Sequence, residues 1–111
     1  MNNVMIIDGH KAVISFDPEI DMFRGEFVGL NGGADFYAGD VSGLRREGEL
    51  SLKIFLEECS RRGIEPQKQF SGKFVIRLDP KAHEAAAIAA AAHGQSLNQW
   101  VADTLEHAAY A

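Results

Sequence analysis

Six residues constrain this chain more than any others: Lys73-Phe74-Val75-Ile76-Arg77-Leu78. They alternate, so a strand puts Phe74, Ile76 and Leu78 on one face and Lys73, Val75 and Arg77 on the other. Asp79-Pro80 follows, an acid suited to the N-cap and a proline suited to the first helical position. The alanine-rich stretch to His93 predicts a helix that Gly94 ends with a left-handed cap. Ser96 to Gln99 reads as a capping box opening a second helix that carries Leu97, Trp100, Val101, Leu105 and Ala108. One strand with two unpaired edges and two short helices cannot close a core alone. Two copies can: the strands pair antiparallel and the four helices enclose Phe74, Ile76, Leu78, Leu97, Trp100, Val101 and Leu105. The segment therefore predicts a homodimer. Ala82 and Ala86, with Ile88 out of register, leave the first helix little to bury, at about 0.8 kcal/mol per CH₂.

The order strand, helix, tight turn, helix resembles the ribbon-helix-helix family of DNA-binding dimers. The matching motifs are F-x-x-R-L at Phe74 to Leu78 and G-x-S-x-N at Gly94 to Asn98. The resemblance implies a two-stranded ribbon in the major groove of operator double-stranded DNA. Lys73, Val75 and Arg77 would face base edges, and the N–H groups of Leu97 and Asn98, just after Ser96, would hold a phosphate at a helix N-terminus. The alternative is a dimerisation module with a solvated outer strand face.

A net charge of −5 sets a first objection to nucleic acid, but its distribution softens it. Residues 1–70 carry 12 acids against 8 Lys/Arg; residues 71–111 carry 4 against 3. Two of those three bases, Lys73 and Arg77, share a strand face, and a dimer doubles them, so local charge can bind DNA in a salt-sensitive way. The acidic first part suggests a basic partner. With 46% apolar and 24% charged residues the chain reads as a soluble globular protein. Its longest apolar run, Ala85 to Ala92, is far short of the about 18 residues a membrane span needs. Met1-Asn2-Asn3 has no basic n-region, and the lone Cys59 suits a reducing cytoplasm.

The first part reads as strands and one helix. Val4–Ile7 starts a strand or an edge segment, and Asp8-Gly9-His10-Lys11 is turn-like. Strands are expected at Ala12–Phe16, Phe23–Leu30 and Ala34–Ala38, with Asn31-Gly32-Gly33 as a hairpin turn. Asp40 or Ser42 caps a helix whose stripe is Leu44, Leu52, Phe55, Leu56 and Cys59, weakened by Gly43 and Gly48 and closed at Gly63. Ile64 to Ser71 reads as a linker with room for one short strand.

The combination Ile14-Ser15-Phe16-Asp17-Pro18-Glu19, Phe27-x-Gly29-Leu30, Phe36-Tyr37-x-Gly39-Asp40 and a helix ending at Gly63 resembles HicB antitoxins. So do Ser71-Gly72-Lys73-Phe74, Arg77-Leu78, His83 and Ser96-Leu97-Asn98-Gln99-Trp100-Val101. The resemblance implies an α+β chain: a small antiparallel β-β-β-α, reduced RNase H-like domain at 1–66, a linker at 67–71 and a dimeric ribbon-helix-helix domain at 72–111. It also implies two binding roles. The first domain would neutralise a HicA-like mRNA-cleaving toxin, and the second would repress the pair's own operon. A ribbon-helix-helix repressor without a toxin partner is one alternative; a catalytic RNase H relative is another. The latter needs carboxylates converging on Mg²⁺, and Asp8, Asp17, Glu19, Asp35 and Asp40 read instead as turn, cap and solvated residues. His10, His83, His93 and His107 lack metal-ligand spacing, so neither catalytic residues, a metal nor a cofactor is expected.

Overall fold

The computed structural model describes residues 3–111 and is α+β, with a four-stranded antiparallel sheet and three helices. Met1 and Asn2, part of the N-terminal stretch read above for targeting, lie outside the described residues. Two compact units result, one ending at Ser71 and one starting at Gly72.

In the first unit β1 (Val4–Ile7), β2 (His10–Asp17), β3 (Met22–Phe27) and β4 (Asp35–Ala38) form a meander in the order β1-β2-β3-β4. The sequence predicts three strands there; the fourth is Val4–Ile7, which pairs with His10–Val13. Asp8 and Gly9, at φ 48° and 80°, make the two-residue turn between them. Positive φ at both positions matches the twist of a two-strand ribbon, which explains why Asp-Gly sits there. Phe23–Leu30 is expected as a single strand, but β3 stops at Phe27, because Gly29 turns left-handed at φ 81°. Asn31-Gly32-Gly33 is consequently one part of a longer loop that joins the antiparallel β3 and β4, not the whole hairpin turn. Leu30 is buried and bridges Gln67, Asn31 N–H donates to the Pro66 carbonyl at 2.9 Å, and Lys68 N–H donates to that of Gly29 at 2.9 Å. The Asn31 side-chain amide adds bonds to the carbonyls of Glu65 and Gln67, so residues 65–68 are tied to this loop.

Helix α1 (Val41–Arg62) lies against one face of the sheet. Asp40 caps it, accepting from Gly43 N–H at 2.6 Å, and Gly63 closes it in the left-handed region at φ 66°. Between helix and sheet lie Ile7, Ala12, Phe27, Leu30, Ala34, Phe36, Ala38, Leu44 and Leu52, with Phe55 and Leu56 half-buried beside them. Cys59 is buried as a small apolar side chain. Two glycines do more than the sequence suggests. A Cβ on Gly25 would stand 2.1 Å from the Phe36 ring, and one on Gly48 would stand 2.4 Å from Ile7 Cδ1 and 3.1 Å from that ring. Gly48 costs helix propensity, but it lets α1 approach the sheet with the ring of Phe36 filling the space.

In the second unit α2 (Pro80–Ala92) and α3 (Leu97–Ala109) pack against each other. Pro80 opens α2 as expected, but the Asp79 side chain makes no cap hydrogen bond. Gly94, at φ 67°, ends α2: its N–H and that of Gln95 reach back to the carbonyls of Ala91 and Ala90. Ser96 caps α3 through Gln99 N–H at 3.1 Å, while the Gln99 amide turns to Asp103 at 2.8 Å instead of back to the cap. Only half of the expected capping box is thus made; the Gln95 amide, also on Asp103 at 2.7 Å, draws that carboxylate into the turn between the helices.

Candidate nucleic-acid interface and assembly groove

Residues 73–78 belong to no strand within the single chain. A ladder needs a neighbour, and the sheet's four strands, β1-β2-β3-β4, do not include them. Their alternation survives from Phe74 to Leu78. Phe74, Ile76 and Leu78 line a groove of about 820 Å³ together with Trp100, Val101 and Leu105. Phe74 is 73% exposed, Ile76 45%, Leu78 52% and Leu105 42%, with Trp100 and Val101 half-buried. Six apolar side chains from one extended segment and one helix thus face a common space that this chain leaves open. Apolar grooves rimmed by polar residues commonly mark surfaces that a protein partner covers.

The other face of the segment is polar at its far end. Val75 is 91% exposed and Arg77 is exposed, and neither lines the groove. Lys73 sits at the groove's edge beside Gly72, so it does not separate from the apolar face as cleanly as the alternation predicts. Ile88 is 62% exposed on α2, in keeping with its place out of register, and Ala86 borders the groove.

At the start of α3 the Ser96 hydroxyl and carbonyl accept from Gln99 and Trp100 N–H. The N–H groups of Leu97 and Asn98 have no acceptor among the described residues and point out of a helix N-terminus, where the partial positive charge favours an anion. Their side chains border the groove, and both Ser96 and Asn98 are exposed. The expected outer-face and helix-end positions are therefore at the surface. The groove is the feature that neither strand periodicity nor helix periodicity displays by itself.

In the first unit each acid considered for catalysis has a local structural contact or position. Asp8 sits in the β1–β2 turn, and Asp17 accepts Glu19 N–H at 3.0 Å. Glu19 is exposed in the turn before β3. Asp35 pairs with Arg24 at 2.5 Å, and this hydrogen bond, with the charge of Asp35 and then Glu26, raises the Arg24 pKa. Asp40 is the cap of α1. Among the described residues no three His, Cys, Asp or Glu side chains converge as metal ligands. His83 is exposed one turn into α2 and also borders the groove, whereas His93 Nδ1 lies 2.7 Å from the Ala89 carbonyl. No helix among the described residues is long and apolar enough to cross a membrane.

The model of the HicB family matches residues 55–105, from the second half of α1 through α2 and most of α3. No curated protein and no solved structure matches the chain.

Proposed function

We propose that this chain, whose residues 55–105 match the HicB family, is an antitoxin with two binding roles. In this reading the first unit binds and neutralises a HicA-like mRNA-cleaving toxin. The second unit dimerises and represses the operon by binding operator DNA. The observation that carries the second role is the groove: an extended segment presenting alternate apolar side chains toward Trp100, Val101 and Leu105. A second copy would pair its own Lys73–Leu78 antiparallel with the first and fill both grooves. That would leave Val75 and Arg77 outward on a two-stranded ribbon, with Lys73 at its ends. Such a ribbon fits a major groove, and the N–H groups of Leu97 and Asn98 would clamp a phosphate on either side. The first role draws support from the acidic balance of residues 1–70, which suits a basic partner that itself grips RNA. We read the chain as a binder and not an enzyme, since its carboxylates serve turns, an ion pair and a cap.

The test is a pair of titrations on Arg77→Ala, against operator DNA at fixed salt and against the toxin. An arginine bidentate to guanine is worth about 1–3 kcal/mol of discrimination. Operator affinity should fall at least about tenfold if both protomers make the contact, while toxin affinity should stay the same. Unchanged operator affinity would remove the ribbon as reading surface, and loss of toxin binding instead would reverse the two roles.

A further inference from the structure

We propose that the groove between the free edge of β4 and the flank of α1 is the docking site for a basic protein partner, which lays an extended segment along β4. This rests on the antitoxin reading above and names where the toxin would be gripped. Strand β4 is last in the sheet, so its outer edge has no ladder neighbour; the Ser51 hydroxyl of α1 donates to the Asp35 carbonyl at 3.2 Å, which leaves the Tyr37 end of the edge for a partner strand. Beside it runs a stripe of α1 at helical spacing, Glu47, Leu50, Ser51, Ile54 and Glu58, and together they border a groove of about 800 Å³. Leu50 is 52% exposed and Ile54 58%, with Phe55 half-buried next to them, so the helix side of the groove is apolar and uncovered.

The charges around it select the occupant. Exposed sheet edges are commonly guarded by lysine; here the groove is lined by Asp35, Glu47 and Glu58 and by no Lys or Arg. Asp35 and Glu58 are already ion-paired, with Arg24 and with Arg61 and Arg62, whereas Glu47 has no ion pair among the described residues. Edge-to-edge pairing of two copies would bring these acids together, which disfavours a second copy. A partner strand carrying Lys or Arg beside an apolar side chain would gain main-chain bonds to β4, a place against Leu50 and Ile54, and opposite charge at the rim.

The experiment titrates the full chain with its HicA-like toxin by calorimetry at two salt concentrations, alongside sedimentation of the chain alone. Ile54→Arg should weaken toxin binding at least thirtyfold. Glu47→Lys should weaken it several-fold and flatten its salt dependence, and Ile6→Arg, on the opposite sheet face, should leave it unchanged. Leu50→Ser, with circular dichroism on every variant, separates lost docking from lost folding, since these side chains are exposed in the folded chain. If the unaltered chain does not bind toxin, the antitoxin reading and this proposal both fall. If it binds and Ile54→Arg binds equally well, the groove alone is refuted. A smaller assembly for Ile54→Arg with toxin binding intact would make the groove an interface between copies and overturn the proposal.

Discussion

Gly25→Ala probes the packing on which the first unit depends. Gly25 pairs with Phe36 across β3 and β4, and the ring lies over the space where a side chain would begin. An added Cβ would meet three ring carbons at 2.1, 2.3 and 2.7 Å. Carbon atoms in good contact sit about 3.5–4.0 Å apart, so the ring would have to move by roughly 1 Å or more. Retreat is limited, because the same end of the ring lies 3.1 Å from where a Cβ on Gly48 would stand, under α1. Overpacking of a closed core costs about 1–3 kcal/mol, and the lower chain entropy of alanine returns only about 0.4–1 kcal/mol. A net loss of about 1 kcal/mol is expected, read as faster native-state hydrogen exchange at the sheet amides. Phe36→Ala alone should cost about 3–5 kcal/mol. In that background Gly25→Ala should be nearly neutral, giving a coupling of about 1 kcal/mol in the double-mutant cycle. Additive losses would refute the claim that the ring makes glycine necessary at position 25.

Ile76→Lys should place two charges in the core of the proposed dimer and leave the chain monomeric in sedimentation; a folded, unchanged dimer would show that the strand faces the other way. Asp40→Ala removes the bond to Gly43 N–H and should destabilise α1 by about 1 kcal/mol in urea denaturation followed by circular dichroism. Asp103→Ala strips both Gln95 and Gln99 of their acceptor, so the α2–α3 turn should open, seen as increased exchange of the Gln95 amide.

Local chemistry was legible in the sequence at most helix ends, with the Asp79 cap as the exception. Asp40, Gly63, Gly94 and Ser96 set helix ends where they were expected, because caps depend on neighbours within a turn. Alternation in Lys73–Leu78 grouped Phe74, Ile76 and Leu78, which line one groove, though Lys73 lines it too, and the family resemblance is met by the match at residues 55–105. What tertiary structure decided were matters of distant approach. Val4–Ile7 is a strand because His10–Val13 offers it an edge, and Phe23–Leu30 is cut short because Gly29–Asn31 bonds to residues nearly forty positions away. Gly25 and Gly48 read as weak points in a strand and a helix; only the ring of Phe36 between them shows what their missing side chains admit. Residues 73–78 mark the limit from the other side. Their pattern is that of a strand, yet a ladder is a property of two backbones, and one chain supplies only the first.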